Sequence, residues 1–195
     1  MIDLRLRETK HDCAVMIDRD GTINLDLGYT HRIEDLKFLE NSISGLKLLA
    51  PMPIHIIIVT NQSGIALGLY EQARMSEFHR EMVRRIEQLG GRIDAVYFSP
   101  YFDLNSLPPS SQLHYSSKPN PGMLEEAASD FSVNLYKSWM IGDRITDVVA
   151  GKSAGTQTIL IGDNGGPLDD IDDENRHQFM VSNLFEAAQH IAMSF

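Results

Sequence analysis

Two aspartates, Asp18 and Asp20, stand one residue apart where the apolar run at 13–17 gives way to the segment DRDGT. Alternate side chains of an extended chain share a face, so the two carboxylates point the same way. Side by side they raise one another's pKa unless a cation lies between them or one of them holds a proton. Such a pair suits cation binding or acid–base work, and Gly21 behind it permits a tight turn. A lone DxDG is explained equally well by a strand running into a hydrophilic turn, so its company decides. That company is Thr60 and Asn61 in VTNQSG, Lys118 in KPNPG, and Asp143, Arg144 and Asp147 in GDRITD. Taken singly, Thr60 reads as a turn cap, Lys118 as a solvated charge and Asp147 as a first-turn acid of a helix. Taken together they are the parts of one polar site, provided the fold gathers them.

The elements around these clusters say how it would. Apolar, β-branched runs at 13–17, 54–59 and 139–141 end directly in the first, second and fourth clusters, and similar strand signals occur at 93–98 and 156–161. Helical patterns lie between them at 42–49, 71–89, 121–131, 146–154 and 183–193, the third beginning with a proline suited to a first turn. Strands alternating with helices predict a doubly wound α/β fold, a parallel sheet with helices on both faces, because parallel neighbours need a crossover connection. Ligands of such sheets bind beyond the carboxyl ends of the strands, where the clusters fall. The 195 residues suit a single domain, 1–195. Only 37 residues separate Thr22 from Thr60, and 57 separate Thr60 from Lys118, too few for a separate cap domain. Loops at 24–32 and 99–117 would roof the site, and Tyr29, His31 and Arg32 are candidate substrate contacts there. The acidic, glycine-rich stretch 162–177 lacks the spacing of a calcium loop and reads as a solvated connection.

Composition narrows the partners. With 17 basic and 27 acidic residues the net charge is −10, which argues against a nucleic-acid backbone as ligand. The apolar run at 54–59 falls far short of the ~20 residues of a membrane-spanning helix, so no membrane partner is expected. The opening MIDLRLRETKHD lacks the uninterrupted apolar stretch of a secretory signal, and one cysteine, Cys13, cannot form an internal disulfide. A cytoplasmic monomer or small homo-oligomer is the expectation.

In order, DRDGT, VTNQSG, KPNPG and GDRITD resemble the four motifs of the haloacid dehalogenase superfamily of phosphotransferases. The stretch NLDLGYTHRIEDLKFLENSISGLKLL with VTNQSGIALG is similar to the subgroup of heptose-bisphosphate and histidinol-phosphate phosphatases. The resemblance covers roughly residues 14–162 and implies a magnesium-dependent phosphatase acting on a small phosphorylated metabolite. A sugar phosphate of the heptose bisphosphate kind is the first substrate it suggests, and histidinol phosphate the alternative. Asp18 would be the nucleophile and Asp20 the acid–base. Asp18, Asp143 and the main-chain carbonyl of Asp20 would hold Mg2+, with Asp147 there directly or through water. Thr60 and the Asn61 amide would bind the phosphoryl oxygens, Lys118 would offset the charge, and Arg144 would contact substrate or anchor structure. Many of those phosphatases carry a zinc loop, whose four ligand positions here are Ser99, Tyr101, His114 and Ser116. One imidazole cannot hold a tetrahedral zinc, so no zinc is expected. Where they resemble one another in an arginine before the motif lysine, this chain has Ser117. Two readings of another class are a phosphorylation-dependent signalling receiver, whose acidic pair would precede the phosphorylated aspartate rather than follow it, and a catalytically silent binding protein.

Overall fold

The computed structural model describes residues 2–6, 10–101, 115–162 and 179–195. Expectations for 102–114 and 163–178, including most of the roofing loop, the place of His114 and the acidic connection, lie outside the described residues. In chain order the elements are β1 (Ile2–Arg5), β2 (Ala14–Ile17), α1 (Ser42–Leu49), β3 (His55–Asn61), α2 (Gln72–Gln88), β4 (Ala95–Ser99), α3 (Gly122–Phe131), β5 (Trp139–Gly142), α4 (Ile145–Ala154), β6 (Gln157–Ile161), β7 (Phe179–Val181) and α5 (Leu184–Ala192).

The sheet has the order β1-β4-β3-β2-β5-β6-β7. Its six strands from β4 to β7 are mutually parallel, and β1 adds an antiparallel edge on β4. The sequence reading contained neither β1 nor β7. Both are edge strands: β1 mixes charges with its apolar residues, and β7, though apolar, is only three residues long, so neither shows the apolar run of a buried strand.

Alternation along the central strands splits the core in two. Val15, Ile17, Ile56 and Ile58 face one way and pack with Leu46 of α1, Phe78 and Met82 of α2, and Ala187 and Ile191 of α5. Ala14, Met16, Ile57 and Val59 face the other way, against Met123, Leu124 and Ala127 of α3 and Ala150 of α4. This two-sided burial is why the central strands read as unbroken apolar runs. Helix ends agree with their local chemistry: the Asn183 side chain accepts from the N–H groups of Phe185 and Glu186 at the start of α5.

Topology places the site. From β2 the chain winds outward through β3 to β4, then returns to the other flank of β2 with β5. The strand order therefore reverses beside β2, and a crevice opens there at the carboxyl ends. Asp18 follows β2, Thr60 and Asn61 close β3, and Asp143 follows β5, all at that crevice.

Candidate active site

Lys118 ties the crevice together. Its Nζ lies 2.6 Å from Asp18 Oδ1 and 2.6 Å from Asp147 Oδ1, and donates to the Val59 carbonyl at 2.9 Å. The contact with Asp147 is an ion pair without hydrogen-bond geometry, which leaves that buried oxygen without a hydrogen-bond partner. Lys118 is itself clamped through its main chain, its N–H donating to Asn61 Oδ1 and its carbonyl accepting from Asn61 Nδ2. One donor and one acceptor of the Asn61 side chain thus position the lysine, while the residue still lines the crevice. Burial disfavours the ammonium, but Asp147 and Asp18 outweigh it and raise the Lys118 pKa.

Carboxylate oxygens of Asp18, Asp143 and Asp147 all lie within 4.8 Å of one another. Burial, the charge of Asp147 and that of Asp20 push Asp18 up to about 6 against the pull of Lys118. Burial and Asp18 do the same to Asp143, also to about 6. Three crowded acids, Asp18 and Asp143 among them with raised proton affinity, are a donor set that fits a hard divalent cation. Two glycines make room for it. A Cβ on Gly21, whose φ is +84°, would sit 2.3 Å from Asp143 Oδ2, and one on Gly142 would sit 2.2 Å from Asp147 Cγ. Asp147 is further fixed by accepting from the Arg144 N–H at the start of α4.

The Asp20 side chain stands apart from this cluster. Its Oδ2 accepts from Arg19 Nη2 at 2.6 Å and Gln62 Nε2 at 3.0 Å, and its Oδ1 from Asn24 Nδ2 at 2.9 Å. Burial raises its pKa, but Arg19 and the three hydrogen bonds overcome that and hold it below the ordinary carboxylate value. Two carboxylates two positions apart are thereby driven in opposite directions, the condition for separate roles. Gln62 also donates to Thr60 Oγ1 at 2.9 Å and accepts from the Tyr70 hydroxyl at 3.0 Å. With its oxygen already accepting, Thr60 can aim its own O–H into the crevice.

Asp18, Asp20, Thr60, Asn61, Gln62, Tyr70, Lys118 and Asp147 line a cavity of about 450 Å³ with Asp26, Gly28, Tyr29, Ser63, Arg144 and Thr146. Asp143 lines a second hollow, with Gly21, Thr22 and Asn183.

Comparison with known proteins decides the family. A family model described as HAD-hydrolase-like matches residues 115–187. The D-glycero-beta-D-manno-heptose-1,7-bisphosphate 7-phosphatase of Escherichia coli K12 is 31% identical over 178 residues, 91% of this chain and 93% of that protein. The enzyme of the same name from Photorhabdus laumondii is 34% identical over 183 residues, covering 91% and 94%. The chain belongs to the haloacid dehalogenase-like phosphatases. Among solved structures, the D,D-heptose 1,7-bisphosphate phosphatase of B. bronchiseptica, complexed with magnesium and phosphate, superposes with a TM-score of 0.79 at 25% identity, over 93% of this chain and 99% of that one.

Against this phosphatase frame the remaining expected residues can be placed. Tyr29 lines the cavity, in a left-handed conformation with φ of 55°. Arg144 lines it too, with its side chain 63% exposed and its Nη2 on Asp26 Oδ2 at 2.8 Å, so it bridges α4 to the loop after β2. His31 and Arg32 are outside the cavity lining. His31 stacks on Tyr70 with ring centroids 4.4 Å apart, and Arg32 turns to Asp35 at 3.8 Å. Ser99 and Ser117, at the two ends of the 99–117 loop, hydrogen-bond to each other through their hydroxyls. Sequence reasoning passed over Gln62 and Arg19, although both stand inside the quoted motifs; the signal available was a long polar side chain directly beside a motif residue at the end of a buried strand.

Proposed function

We propose that this phosphatase hydrolyses a small phosphorylated sugar of the heptose bisphosphate kind, with magnesium as cofactor and an aspartyl-phosphate on Asp18 as intermediate. The observation that carries the reading is the convergence of Asp18, Asp143 and Asp147 on a space where their oxygens lie within 4.8 Å of one another, beside the Lys118 ammonium. The heptose bisphosphate 7-phosphatases that resemble it along nearly its whole length support the substrate class.

Asp18, Asp143 and Asp147 would hold the ion, with the Asp20 carbonyl beside them. When bound there, magnesium would neutralise charge on the phosphoryl oxygens and on the crowded carboxylates. Asp18 attacks phosphorus, forming the Asp18–P bond as the P–O bond to the sugar breaks, and Asp20 gives its proton to the departing oxygen. A phosphate dianion beside Asp20 raises its pKa from the depressed value of the free site, so the proton reaches it as substrate binds. Water then attacks phosphorus as the Asp18–P bond breaks and phosphate leaves, and Asp20, ionised once it has given up its proton, takes the proton of that water. Thr60 donates to a phosphoryl oxygen, and Lys118 balances Asp18 in both steps.

A panel of sugar phosphates, histidinol phosphate and nucleotides, assayed with magnesium and with chelator, tests the reading. Sugar phosphates should be cleaved fastest and only with the metal. Hydrolysis indifferent to chelator, or full activity in Asp18→Asn, would refute it.

A further inference from the structure

Arg19 has no role in the reading above, yet it is fully buried and among the largest side chains to be so. Its Nη1 lies 2.9 Å from Met75 Sδ and 3.0 Å from His79 Nε2, both on α2, and its guanidinium sits 4.8 Å from the centre of the Phe78 ring. Its Nη2 donates to Asp20 Oδ2 at 2.6 Å and to the Thr30 carbonyl at 2.7 Å. We propose that Arg19 is a positioning residue for proton transfer, its guanidinium carrying the rigidity of α2 to the Asp20 carboxylate so that one remaining lone pair faces the leaving-group oxygen. This inference rests on the reading in which Asp20 exchanges the proton.

An ionised carboxylate offers about four acceptor positions. Arg19, Gln62 and Asn24 occupy three of those on Asp20, and Asp20 lines the cavity, so a single direction is left for the substrate. Burying a guanidinium also costs several kcal/mol of solvation, and an apolar side chain between Met75 and Phe78 would stabilise the fold at least as well. What arginine supplies there, and lysine cannot, is a planar fork of donors with fixed directions. One end of that fork rests on a helix and the other on the acid–base group, so the angle of the carboxylate follows from the packing of α2. An acid misplaced by a fraction of an ångström loses rate while substrate affinity stays the same.

The test separates proton transfer from folding. An alkyl phosphate needs a proton on its departing oxygen; p-nitrophenyl phosphate, with a good leaving group, does not. Leaving-group release in the first turnover is measured for both substrates in wild type, Arg19→Lys, Asp20→Asn and the double variant. Arg19→Lys should slow release from the alkyl phosphate by about tenfold or more, a part of the ~10²–10⁴ that a general acid contributes. It should change release of nitrophenolate by less than about twofold and leave KM near its wild-type value. Added to Asp20→Asn, it should bring no further loss, because both changes act through one carboxylate. Should Arg19→Lys fail to fold, His79→Leu removes the ring nitrogen beside Nη1 and should show the same substrate selectivity at smaller size, with His79→Gln restoring it. Equal losses on both substrates, or losses that multiply with Asp20→Asn, overturn the inference alone. An Asp20→Asn enzyme as fast as wild type on alkyl phosphate overturns the acid–base reading and the inference with it.

Discussion

Replacing Lys118 with methionine keeps an unbranched chain one atom shorter and removes its charge from between two buried carboxylates. Each ion pair spans 2.6 Å. At an effective dielectric of about 20, Coulomb's law gives roughly 6 kcal/mol for each, most of it offset by the cost of desolvating the three groups. The net loss on leaving a buried charge uncompensated is about 3–5 kcal/mol, a large share of the ~5–15 kcal/mol by which a domain is stable. For a chain of this size about 1 kcal/mol corresponds to a shift of roughly 2–4 °C in Tm, so Lys118→Met without metal at pH 7.5 should melt some ~6–20 °C below wild type. Two dependences identify the cause. The deficit should shrink on acidification, as Asp18 protonates near 6, and it should shrink with added magnesium, which replaces the lost positive charge. Thermal melts followed by circular dichroism at pH 5 and 7.5, with chelator and with magnesium, supply all four values. A Lys118→Met protein within about 2 °C of wild type at pH 7.5 in chelator would refute the account, because Asp18 and Asp147 would then tolerate each other without a cation.

Further outcomes follow from the same geometry. Gly21→Ala puts a methyl 2.3 Å from Asp143 Oδ2 at a φ of +84°; it should cost about 1–2 kcal/mol in the backbone and weaken magnesium binding by about tenfold or more, read by calorimetry, and unchanged affinity would place the ion elsewhere. Protons compete with the cation for Asp18 and Asp143, both raised to about 6, so magnesium affinity should rise with pH from 5 to about 7 and then level off. In the metal-free protein those raised pKa values contribute stability that is complete below the ordinary aspartate value and lost as pH climbs through about 6. The magnesium-induced gain in Tm should therefore grow over the same interval, and a gain that is flat with pH would contradict it. His55 is buried beside Phe131, its Nε2 accepting from the His11 N–H, with Asp94 and Arg92 nearby. Burial lowers its pKa against the pull of Asp94, so its contribution to stability is present above the unfolded value near 6.5 and lost as pH falls through that value toward the folded one. His55→Gln should flatten this part of the urea-denaturation profile, and a profile identical to wild type would remove His55 as the cause.

Much of this architecture was legible before any coordinates. Burial on both faces forces unbroken apolar runs, so β2, β3 and β5 declared themselves, and polar residues directly after a strand can lie only at its carboxyl end. Hence Asp18, Thr60 and Asp143 were assigned to one rim of the sheet from local pattern alone. The edges β1 and β7 were not legible, because β1 carries charges, β7 is only three residues long, and the pairing of each depends on a partner distant along the chain. The sequence by itself determined the candidate groups and the end of the sheet they occupy, since covalent order and side-chain periodicity suffice for both. Tertiary structure alone decided what each group is bound to: that Lys118 sits between Asp18 and Asp147, that Asn61 holds the lysine's main chain, that His31 and Arg32 lie outside the cavity, and that a buried Arg19 grips Asp20. Those partners lie on other elements, and the pKa differences that separate the two motif aspartates arise from burial and charge at distances of a few ångströms, which spacing along a chain does not encode.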